Sequence, residues 1–156
     1  MFRKTLVLFL IITVITSVSA AVFAAPEVID AEYEGDVYDI ISITGPESEA
    51  LNTFERSCLV SGYGQEGAVV TFYIYNRNDE VYYKMYGEEE EAVSLIVGSS
   101  SQFMKNIDLQ HGRNRILLLA EYGGGEEDGE VLTQAVKINI RVMNYNLFNI
   151  IQNLFQ

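Results

Sequence analysis

"NIDLQHGRNRILLLAEYGGG", residues 106 to 125, decides how the chain is read, because it admits two opposite interpretations. It holds His111, the only histidine, beside Arg113 and Arg115, and so has the look of an active-site segment. It also holds Ile116 to Ala120, an unbroken apolar run of the kind a strand carries when both of its faces are covered. Between the two lie Gly112, which can take a positive φ, and Asn114, whose short amide can bond turn backbone. The stretch therefore reads as a turn that feeds a central strand, with His111 standing on the corner.

A catalytic His111 needs a nucleophile and an orienting carboxylate beside it. "GSSS" at 98 to 101 offers serines, but no G-x-S-x-G elbow is present. No catalytic residue is expected, and the protein reads as a non-enzyme.

Outward from this segment the dominant period is two. "AVKINIRVM" (135 to 143) sets Val136, Ile138, Ile140 and Val142 inward and Lys137, Asn139 and Arg141 outward. "AVVTFYIYN" (68 to 76) sets Val70, Phe72 and Ile74 against Thr71, Tyr73 and Tyr75. "SCLVSG" (57 to 62) puts Cys58 and Val60 on one face, with Gly62 expected to end the strand. "QFMKNIDL" (102 to 109) aligns Phe103, Lys105 and Ile107. "DVYDIISI" reads as a first strand that stops at Gly45-Pro46, and "EVYYKMY" and "AVSLIVG" are looser candidates. Short strands between turn signals, with no long helical period, predict an all-β antiparallel sandwich of about seven strands over 37–143. Residues 25–36 are acidic and lack a sustained period, which predicts a flexible lead-in.

The two ends differ from this pattern. Arg3 and Lys4, the apolar run Leu6 to Val18 and the small residues at 20, 21, 24 and 25 have the order of a signal peptide over 1–24, with cleavage expected after Ala24. The alternative is an uncleaved anchor, since Leu6 to Ala25 lacks charge and is long enough to span a bilayer. Both readings place the rest of the chain outside the cytoplasm. At the other end, "NYNLFNIIQNLFQ" (144 to 156) gathers Leu147, Phe148, Ile151, Leu154 and Phe155 on one side of a helical wheel, without any charge. Such a helix packs on its own domain, mediates self-association or partner binding, or lies on a membrane surface. The lack of Lys and Arg argues against the membrane.

Removing residues 1–24 leaves eight basic and 22 acidic residues, a net charge of -14. Nucleic acid and anionic lipid are therefore unexpected as partners. Cys58 is the only cysteine, so no internal disulfide is expected and the thiol reads as a small buried group. No cofactor is expected. Calcium has weak candidates in Glu88 to Glu91, in "GGGEEDGE" and in Asn76, Asn78 and Glu80, but none fits the D-x-[DN]-x-[DN]-G loop. Tyr73, Tyr75, Tyr82 and Tyr83 are the remaining candidate surface. Neighbouring exposed rings on a sheet can hold a sugar or a protein, and neighbouring buried rings simply pack.

Ser57 to Val142 resembles the bacterial Ig-like and fibronectin-III-like accessory domains of exported proteins. The resemblance rests on "LVSGYGQEGAVVTFYIYN", on "FMKNIDLQHGRNRILLLAEYGG" with its apolar-x-x-Gly-x-Asn-x-apolar spacing, and on "VKINIRV" as a last strand. It implies an Ig-like fold and a non-catalytic structural or binding role, with a protein or a glycan as partner. It carries no catalytic residue to this chain.

Overall fold

The computed structural model describes residues 25–37, 39–46, 50–123 and 131–144. Residues 1–24, read above as a signal peptide, the acidic stretch 124–130 and the uncharged tail from 145 onward, where a helix is expected, lie outside the described residues. Within them the chain is all β, and no helix is long and apolar enough to cross a membrane. Ten strands form: β1 (Val28–Asp30), β2 (Ile41–Gly45), β3 (Ala50–Thr53), β4 (Ser57–Gly64), β5 (Val69–Asn76), β6 (Val81–Lys84), β7 (Ser94–Ile96), β8 (Gln102–Asp108), β9 (Gly112–Gly123) and β10 (Val131–Val142). The strands not foreseen are β1 and β3, of three and four residues, too short to show a period of their own.

The larger sheet has the order β1-β6-β5-β9-β10-β3, with β7 pairing the start of β5 beside β6, and the smaller has the order β2-β4-β8. Pairing is antiparallel throughout except between β10 and β3, which run parallel over Asn139↔Ala50 to Val142↔Thr53. The chain leaves the small sheet at Gly45, enters the large one at Ala50 and returns at Ser57, so an all-antiparallel arrangement does not hold at this edge. Gln134 ties the two sheets together at the same side. Its buried amide accepts from Ile41 N at 2.7 Å and donates to Ile41 O at 3.1 Å, doing for β2 what a neighbouring strand would do.

One core joins the inner faces of both sheets. Cys58, Val60, Phe103 and Ile107 from the small sheet meet Val70, Phe72, Ile116, Leu118, Ile138 and Ile140 from the large one. Strand β4 does not end at Gly62. A Cβ there would strike the Ser42 carbonyl oxygen and come within 2.8 Å of the Phe103 ring, so glycine lets the ring lie against the backbone while the strand runs on to Gly64.

A second, smaller core covers the other face of the large sheet: Ile29, Tyr73, Tyr82, Leu117 and Leu119, with Ala25, Tyr33, Tyr75 and Ala135 packed around them. The stretch expected to be a free lead-in supplies the cover. Its β1 pairs with β6, its Ile29 is buried, and Gly35 bridges to Gln134. Side chains hold the stretch down from below: Tyr73 Oη donates to Pro26 O at 2.7 Å, Lys84 Nζ to Ala25 O at 2.6 Å, and Lys137 Nζ to Ala31 O at 2.9 Å. Burial on both faces explains why β9 is apolar without alternation from Ile116 to Ala120.

Candidate functional site

The four candidate tyrosines do not form one exposed surface. Tyr73 is 0 % exposed, and desolvation pushes its hydroxyl far above the usual tyrosine range. Tyr82 is buried too, its ring set edge-on to Tyr75 with centroids 5.2 Å apart. Tyr83 pairs with Ile74 and so points to the opposite face, where its hydroxyl donates to Asp79 at 3.1 Å. Alternation identified the shared face of Tyr73 and Tyr75 but left open whether it is exposed or covered, because the segment that covers it is distant in sequence.

The turn at residues 110 to 114 is built by one glycine and one asparagine. Gly112 has φ +91°. Asn114 is buried, and its amide oxygen accepts from Gln110 N at 2.9 Å while its nitrogen donates to Gln110 O at 2.8 Å. The side chain thus acts as a bridging peptide unit across the turn. His111 projects into solvent, and Arg56 Nη2 donates to its Nε2 at 2.6 Å. The serines at 99 to 101 precede β8 and His111 follows it, so a strand roughly 20 Å long separates them.

Other candidates have local roles. Cys58 faces the core, and burial together with the nearby Glu55 charge raises its thiol above the usual value. Asn76 and Asn78 build the β5–β6 turn: Asn76 Nδ2 donates to Asp79 Oδ2 at 2.8 Å and its Oδ1 accepts from Asn78 N at 2.9 Å. Among the described residues no three His, Cys, Asp or Glu side chains are placed to hold one metal ion.

The feature that sequence reading missed is cationic. Every arginine after Arg3 comes to one end of the molecule, the end where β9 begins and β5 and β10 finish. Arg77, Arg113 and Arg115 line a cavity of about 320 Å³ with Tyr75, His111 and Gly112. Arg141 lies opposite Arg113 in the β9–β10 register, and Arg56 reaches in through His111. The Arg115 guanidinium sits 5.0 Å from the Tyr75 ring centroid, which orders it by a cation–π contact. Among the described residues the only ion pair is Lys84 with Glu27, at 2.7 Å, so no carboxylate there neutralises any of the five arginines. In so acidic a chain, exposed guanidinium groups that pair with no carboxylate among the described residues form a local binding potential for an anion. The available signal was the spacing R-x-R in "HGRNR", which puts Arg113 and Arg115 on one face of a strand.

Comparison with protein-family models, with curated protein sequences and with solved structures finds no match to this chain.

Proposed function

We propose that this chain is an exported, non-catalytic Ig-like β-sandwich domain that binds an anionic group on a protein partner through its arginine end. The observation that carries the binding role is the cavity between Arg77, Arg113 and Arg115, with Tyr75 held beside them. Planar guanidinium forks match carboxylate, sulfate or phosphate oxygens in pairs, and a ring alongside adds apolar contact to whatever carries the anion. An acidic glycan is the second reading, favoured by Tyr75, whose ring stands next to the guanidinium groups as a sugar-stacking site requires. The Ig-like reading is supported by connectivity: β4 and β8 in one sheet face β5, β9 and β10 in the other, the split of B and E from C, F and G. Export rests on the charge and hydropathy order of residues 1–24.

The test is equilibrium binding of the purified protein to a Glu-rich peptide, to polygalacturonate and to neutral dextran at low and high salt. Binding to the peptide that weakens with salt supports the leading reading. Preference for polygalacturonate moves the role to glycan recognition, and equal indifference to all three contradicts both. We read residues 144–156 as a helix packed on the domain itself. Deleting them then lowers Tm at unchanged molar mass, whereas unchanged Tm with loss of an oligomer in light scattering overturns that reading.

A further inference from the structure

Glu121 lies on the outer face of β9, between Val69 of β5 and Thr133 of β10, beneath the N-terminal stretch. The residue is 8 % exposed, and its Oε2 is buried without any hydrogen-bond partner. It lines a cavity of about 240 Å³ whose other walls include Pro26, Val28, Ile29, Tyr33 and Leu119, with Asp30 at its side. None of the donors around this carboxylate makes a hydrogen bond to Oε2, and the bonds they do make go elsewhere. Tyr73 Oη donates to Pro26 O, and Lys84 Nζ to Ala25 O and Glu27. Thr133 Oγ1 donates to Asp36 Oδ2 at 2.7 Å, which leaves the Tyr33 hydroxyl to donate to Thr133 at 2.7 Å. An unsatisfied buried carboxylate facing a cavity is a costly arrangement that a donor from outside would relieve.

The geometry points to a binding site for a primary alkylammonium group, with Glu121 taking the charged head and Ile29, Val28 and Leu119 the alkyl stem. A divalent cation is disfavoured, because it takes six or more oxygen ligands and no three-ligand group is present among the described residues. The size also fits a small group, being below the roughly 300 to 1,000 Å³ of pockets for larger ligands. The site lies on a different part of the sheet from the arginine cavity and does not depend on it.

Calorimetric titration with n-butylammonium, with n-butanol and calcium chloride as comparisons, tests the assignment, and N-acetyl-lysine amide tests whether a lysyl side chain can be the source. Saturable binding of butylammonium is expected, with a loss of at least tenfold for butanol and for Glu121→Gln. If N-acetyl-lysine amide matches butylammonium, the site takes a partner's lysine; if it binds weakly, the site takes a free amine. Amide NMR shifts on the unmodified protein should centre on Leu119, Glu121 and Thr133, a readout independent of any variant. Equal binding by Glu121→Gln, displacement by calcium, or shifts confined to the arginine end would overturn the assignment.

Discussion

At Gly112 an added Cβ would meet nothing within 4 Å, so the penalty for a side chain there comes from the φ of +91° alone. Gly112→Val should cost about 1 to 3 kcal/mol in urea unfolding, while His111→Ala should stay within about 0.5 kcal/mol. A larger loss from His111→Ala would mean that its contact with Arg56 matters more than its exposure implies. Glu121 gives a pH-dependent test. Burial raises its carboxyl above the ordinary value of 4.5, with Lys84 working against that shift. The folded state then binds the proton more tightly than the unfolded state, so this contribution favours folding below pH 4.5 and is lost as pH rises through the folded value. Glu121→Gln should therefore raise stability near pH 7 by about 1 kcal/mol, or roughly 3 to 5 °C in Tm, and change little near pH 4. A variant less stable at pH 7 than the parent would contradict the burial of an unpaired charge. Neither the burial of Glu121 nor that of Tyr73 was legible in the sequence, since a residue on an alternating strand does not show what lies above its outer face.

Among the elements, β5 and β10 were legible because eight or more residues give several repeats of the two-residue period. The central place of β9 was legible too, from its run of apolar residues. Strands β1 and β3 were not, for their short lengths leave the pattern to partners far along the chain: β6 for β1, and the parallel β10 for β3. Acidic composition made residues 25–36 look unstructured, yet the acidic side chains there are exposed while Ile29 is buried in the second core with Ala25 and Tyr33 packed beside it. Ile29→Ala should cost about 2 kcal/mol and increase the reactivity of Tyr73 toward a phenol reagent. Unchanged stability together with an inert Tyr73 would show that β1 contributes little to the fold.

Over the whole molecule, the sum of charges misled where their distribution informs. A net charge of -14 after residue 24 predicts repulsion of anions in general, but the strand register gathers five arginines at one end, where local potential dominates within a Debye length of roughly 8 Å. That gathering could not be read from composition, because Arg56, Arg77, Arg113 and Arg141 belong to four separate segments. Both arginines of "HGRNR" occupy exposed positions, so replacing them should leave the fold intact. The most direct test is therefore the affinity of Arg113→Ala/Arg115→Ala for whichever anionic ligand the parent protein binds, measured beside its Tm. A loss of roughly tenfold or more at unchanged Tm is the predicted result. An affinity equal to the parent's would contradict the assignment of binding to the arginine end.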